Sequence, residues 1–170
     1  MKRWLQHLAT ILVLVLPAIA VYAWQTRDLL PAGERLPAPA FALAGLDGAV
    51  LDSAALHGQP TVLYFFAPWC AVCAASAPQL RWFNAAFGDS TRLVLVALSY
   101  DSREEVVAYA ESHALTGLPV LLGDATTAAA YRIRGFPTYY VLDAEGRVAA
   151  RDFGLSTFVG LWWRTRGLNG

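Results

Sequence analysis

With 170 residues, 13 Lys and Arg set against 13 Asp and Glu, and a hydrophobic share of 56%, the chain holds one ordinary domain and a short appendage. The balanced charge excludes the basic field that recruits nucleic acid. A mean hydropathy of +0.41 is more than a soluble core needs, so one stretch must carry apolar residues for another purpose.

That stretch is residues 5–24, which carry no charge. As a helix it extends about 30 Å, the thickness of a bilayer's hydrocarbon core. Lys2 and Arg3 precede it, and Trp4 and Trp24 bracket it where aromatic belts sit, an order that keeps the N-terminus cytoplasmic. The expectation is an anchor over 1–26, single-pass in the inner membrane with the C-terminal domain in the periplasm. Pro17 and Ala18-Ile19-Ala20 also fit a cleaved signal peptide with its core over 8–16, and both readings export the domain.

Residues 27–40 mix charges with Pro31, Pro37, Pro39 and Gly33 and read as a linker, leaving 41–170 as the folded domain. Residues 41–52 alternate around Asp47-Gly48, the signature of a hairpin. Thr61–Phe66 is a run of β-branched, aromatic and aliphatic residues, the pattern of a strand buried on both faces. A helix follows over 70–87, its apolar face including Val72, Leu80 and Phe83, with Pro78 predicting a kink.

A second buried strand covers 93–99. Ser102 and Glu105 form a capping box ahead of a helix over 106–113. A short strand at 118–122 and a small helix at 125–131 come next. Strands at Thr138–Leu142 and 147–153 are joined through Asp143-Ala144-Glu145-Gly146, and a terminal helix starts at Thr157. Strands alternating with helices and ending in a hairpin imply a three-layer α/β sandwich with a mixed central sheet.

The only two cysteines stand in Trp69-Cys70-Ala71-Val72-Cys73, where a buried strand hands over to a helix. The unpaired amides and dipole of a helix N-terminus stabilise an anion, so the thiolate of Cys70, the species that attacks disulfides, is favoured. Cys73, one turn on, is close enough to close a small ring and act as resolver.

A structural bridge, half a zinc site and a soft-metal site compete with redox exchange. So short a loop gains little from cross-linking. Zinc needs further ligands, yet His7 lies in the apolar segment and His57 and His113 stand alone. Copper(I) survives this comparison, because two thiolates can hold it. Pro137, in Gly135-Phe136-Pro137-Thr138, enters a strand where proline is tolerated without any role.

Phe65-Phe66-Ala67-Pro68-Trp69-Cys70-Ala71-Val72-Cys73, Pro78, and Arg134-Gly135-Phe136-Pro137-Thr138 together resemble the thioredoxin superfamily over nearly all of 41–168. The leading hairpin, the extra strand and helix before Pro137 and the apolar N-terminus are similar to the TlpA-like membrane-anchored branch, especially ScsD-type protein disulfide oxidoreductases. The resemblance implies a thioredoxin fold, Cys70 as nucleophile, Cys73 as resolver, and a cis Pro137 facing them. It further implies that the Phe136 backbone and the flanking Trp69 meet substrate, although Trp69 also reads as a core aromatic.

Three positions depart from that pattern. Tyr64 stands where thioredoxins carry a buried Asp, Ser76 where some cytochrome-maturation relatives carry Glu, and Thr138 where many haem-pathway members carry Glu. No obvious carboxylate is left to exchange a proton with Cys73. Peroxidase relatives place Thr ahead of a lone Cys, whereas Pro68-Trp69 stands here.

The function expected is periplasmic thiol–disulfide exchange with protein thiols or disulfides, recycled by a membrane electron-transfer partner, with no cofactor and no resident metal. Ala71 and Val72 add neither charge nor a side-chain hydrogen bond, which leans the direction toward reductase, with oxidase as the rival. The alternative from another class is a Cu(I)-binding metal-stress module without turnover.

Overall fold

The computed structural model describes residues 2–155 and 157–168. Strand β3 (Thr61–Phe66) is buried at all of its positions, because it occupies the middle of a five-stranded sheet with both faces covered. The sheet order is β5-β4-β3-β6-β7, with β4 (Arg92–Ala97), β5 (Val120–Leu122), β6 (Thr138–Leu142) and β7 (Val148–Phe153). β3 pairs parallel with β4 and antiparallel with β6, setting Tyr64 opposite Tyr139. The sheet is mixed, and the architecture is the thioredoxin-like α/β fold.

Side-chain alternation along β3 divides the core. Val62, Tyr64 and Phe66 meet residues of α2 (Ala71–Phe87), α3 (Arg103–Ser112) and α5 (Phe158–Thr165) on one face. Leu63 and Phe65 point the other way, into a second cluster with Phe41, Leu43, Leu56 and Tyr131. That outer layer is built from the hairpin β1 (Ala42–Ala44) and β2 (Val50–Asp52), the 3-10 turn Ser53–Leu56 and α4 (Ala125–Ala130). The hairpin also covers the sheet's edge: Gly45 bridges Leu121 and Leu46 N donates to Val120 O at 2.9 Å.

Several details differ from the sequence expectations. Val72 is 45% exposed, because the inner stripe of α2 runs through Cys73, Ser76, Ala77, Leu80 and Phe83 and a residue one position off such a stripe turns outward. β4 ends at Ala97 rather than residue 99, since Ser99 turns into the left-handed region at φ 51°. Ser102 accepts from Glu105 N at 3.2 Å, but the Glu105 carboxylate accepts from Asp101 N at 2.9 Å, so the capping box is not reciprocal.

Residues 27–40, expected as a linker, are laid against the domain. Leu29 is 4% exposed within the second core cluster. Arg151 Nη1 donates to Leu29 O at 2.6 Å, Leu30 N to Tyr140 Oη at 3.2 Å, and Val148 N to Leu36 O at 2.9 Å. Leu29 and Leu30 ahead of Pro31, with Ala32 and Ala38, give the segment a buried side that its punctuation conceals.

Helix α1 (Lys2–Thr26) is continuous through Pro17, and Ile11, Leu14, Leu16 and Ile19 are exposed along it. Among the described residues, no helix is long and apolar enough to cross a membrane.

Candidate active site

β3 ends at Phe66, and Ala67-Pro68-Trp69 turns the chain so that Cys70 becomes the N-cap of α2. Cys70 keeps extended backbone, φ −81° and ψ 106°, while its amide donates to Ala67 O at 3.0 Å and its carbonyl accepts from Ala74 N at 3.1 Å. Its Sγ takes the place of a capping oxygen and accepts from Cys73 N at 3.1 Å. The first turn of α2 carries no acidic residue, so nothing offsets the positive end of the helix dipole beside that sulfur.

A disulfide joins Cys70 to Cys73 across a Cα–Cα distance of 5.2 Å. The two sulfurs differ in access. Cys70 is 7% exposed and Cys73 fully buried, because one caps the helix and the other lies on its inner stripe. An incoming thiolate can approach only the first.

The strand-entry loop from the far side of the sheet supplies the second part of the site. The Phe136–Pro137 peptide is cis. Pro137 O accepts from Gly154 N at 2.8 Å and Thr138 Oγ1 donates to Gly135 O at 2.9 Å, which ties the loop to its own sheet. Trp69 stands edge-on to the Phe136 ring, with centroids 5.7 Å apart at 81°. Its indole N–H donates to Ser99 O at 2.8 Å. At 65% exposure Trp69 is no core aromatic; it is held by one ring and one carbonyl.

Leu98, Ser99, Tyr100, Gly123, Ile133 and Phe136 are among the residues lining a hollow of about 640 Å³ that begins where Trp69 is fixed. A second hollow of about 740 Å³ lies between β5, α3 and the leading hairpin, lined by none of these site residues.

Beneath α2, Tyr64 is 1% exposed and its hydroxyl, beside Ser76, is without a well-formed hydrogen bond. Burial pushes this phenol far above its ordinary range. Tyr109, stacked on Phe66 at 4.8 Å, is likewise pushed up to about 12 by burial. These hydroxyls stay protonated at neutral pH. Among the described residues, no group of three His, Cys, Asp or Glu is placed to hold a metal ion.

The structure therefore brings Cys70 and Cys73 into a bond and seats Trp69 on Phe136, the residue before Pro137. Sequence reasoning missed Ser99. The one available signal was that an indole N–H beside a reactive turn needs an acceptor; a serine in the left-handed region leaves no mark of its own.

The family model described as the AhpC/TSA family matches residues 35–151. The chain is 27% identical over 161 residues to the thioredoxin-like protein YneN of Bacillus subtilis, covering 92% of this chain and 93% of that one. It is 29% identical over 157 residues to sporulation thiol-disulfide oxidoreductase A of the same organism, covering 89% and 92%. The structure of MTB dsbF in its mixed oxidized and reduced forms superposes with a TM-score of 0.70 at 25% identity, over 81% of this chain and 99% of that one.

Proposed function

The chain belongs to the AhpC/TSA family and is a thiol–disulfide oxidoreductase of the TlpA-like thioredoxin branch, and we propose that it works as a disulfide reductase on proteins outside the cytoplasm. The observation that carries the reading is the unequal access of two bonded sulfurs at one helix start, Cys70 at 7% exposure and Cys73 at none.

In the reduced enzyme the Cys70 thiolate attacks one sulfur of a substrate disulfide and expels the other as a thiolate, forming a mixed disulfide. Cys73 then attacks Cys70 Sγ, its proton passing to the departing substrate sulfur. The substrate leaves reduced by two electrons and the enzyme holds the Cys70–Cys73 bond. A dithiol partner in the membrane restores the pair by the reverse exchange. The Phe136 backbone, set beside the cis Pro137, pairs with the substrate chain, and Trp69 flanks it.

Ala71 and Val72 leave the thiolate with helix amides alone for support, which supports the reducing direction, because a strongly stabilised thiolate makes an oxidant. Export is supported by Lys2 and Arg3 ahead of an uncharged run and by exposed Ile11, Leu12, Leu14 and Ile19 on α1. We place α1 in the inner membrane and the domain in the periplasm.

Full-length protein equilibrated with glutathione buffers tests the direction. A reductase becomes oxidised at a small share of oxidised glutathione, whereas a pair that stays reduced in mostly oxidised buffer would make it an oxidase. Loss of protein-disulfide reduction in Cys70→Ser is expected; an unchanged rate would remove the enzyme reading.

A further inference from the structure

We propose that the outer face of α5 lies in the headgroup layer of the bilayer that holds α1, so that the domain rests on the membrane instead of swinging from it. This rests on the reading of α1 as a membrane-held helix. The inner face of α5 is already satisfied: Leu161 and Thr165 are buried, and Phe158 packs on Phe87 with ring centroids 5.8 Å apart. The opposite face of a soluble domain's helix should then be polar. Here it presents Val159, Trp162, Trp163 and Arg166 at the i, i+3, i+4, i+7 spacing of one stripe, with exposures of 65% for Val159, 39% for Trp162 and 57% for Trp163. Leu155, 56% exposed, extends the patch.

Its chemistry is that of a membrane interface. Tryptophan rings with a cation beside them suit the headgroup layer, where an apolar body and a polar edge are both solvated. The Arg166 guanidinium sits 3.1 Å from the Trp163 ring centroid and 5.4 Å from that of Trp162. Near the end of α1 the same pairing recurs: Trp24 is 63% exposed and Arg27 lies 5.3 Å from its ring centroid.

Position selects the bilayer as occupant over a protein partner. Tyr22, one turn from the end of α1, faces the Asp152–Arg164 ion pair, and Arg164 belongs to α5 between Trp163 and Arg166. If α1 crosses as far as Trp24, α5 is held at headgroup depth. The segment after α1 cannot swing the domain away, since Arg151 and Tyr140 hold Leu29 and Leu30 and Asp28 bonds Arg134 at 2.8 Å. Arg134 is two residues from Phe136, so the redox loop is tied close to where α1 ends.

The test is tryptophan emission from the full chain in phosphatidylcholine–phosphatidylglycerol vesicles whose acyl chains are brominated close to the headgroup, against unbrominated vesicles. The double variant Trp162→Phe/Trp163→Phe keeps ring bulk on the helix, and its difference from wild type isolates the emission of the two indoles. Brominated lipid is expected to remove most of that difference. If the difference persists while the variant's remaining emission, which includes Trp4 and Trp24, is quenched, α1 is in the bilayer and the α5 proposal is overturned. If neither is quenched, the membrane reading fails and takes this proposal with it.

Discussion

Cys70 caps the helix on which Cys73 is the third residue: the sulfur of the first accepts the backbone N–H of the second at 3.1 Å. In the reduced pair the same N–H would support a thiolate on Cys70, the proposed attacking residue, and the burial of Cys73 suits its proposed role as resolver. Cys73→Ala is therefore expected to accumulate mixed disulfides between Cys70 and substrate proteins, visible as reductant-sensitive bands on gels. Cys70→Ser should show none; adducts from Cys70→Ser alone would reverse the roles.

Trp69 is held by the Ser99 carbonyl and the Phe136 ring while most of its surface is open. Trp69→Ala should cost about 1 kcal/mol of stability, the scale of one net hydrogen bond. For a protein substrate it should raise KM several-fold with kcat little changed. A large fall in Tm with unchanged KM would assign the ring to packing.

Leu29→Ala is expected to destabilise the protein by about 2–4 kcal/mol, the cost of emptying a buried leucine site. A free tether would show no change. Denaturant unfolding of the full chain checks it.

The Tyr64 hydroxyl is buried without a well-formed partner, and an orphaned buried donor is costly. Tyr64→Phe should leave Tm unchanged or raise it. A loss of more than about 1 kcal/mol would mean that the hydroxyl makes a hydrogen bond worth keeping with the neighbouring Ser76.

Asp143 is 3% exposed and closes the β6–β7 turn. Desolvation raises its carboxyl, but the Arg147 amide at 2.8 Å, the Arg147 guanidinium at 3.0 Å and the Glu145 amide at 3.1 Å outweigh it, and the net shift is downward. A depressed folded value gives stability that is present above the unfolded carboxylate range, about 3.9, and is lost as pH falls through the folded value. Melting curves should therefore show an acid-side loss that Asp143→Asn reduces. An identical acid limb in the variant would show that other carboxylates govern it.

Short-range pattern determined a great deal. The short apolar run of Thr61–Phe66, rich in β-branched and aromatic residues, read as a strand covered on both faces with the cysteines at its exit into a helix, since hydrophobic period and the residues at element ends are local properties of the chain. The hairpin around Asp47-Gly48 was equally legible, because its Gly48 takes φ 84°, which its neighbours would resist. Residues 27–40 were not, because proline and glycine mark where regular structure stops without saying whether the chain then packs. Only the assembled sheet decided that Leu29 is buried, that Val72 faces outward, that Ser99 holds Trp69, and that Trp162 and Trp163 share an open face. Each depends on contacts between segments far apart in sequence, whose energies exist only once the strands have set those segments side by side.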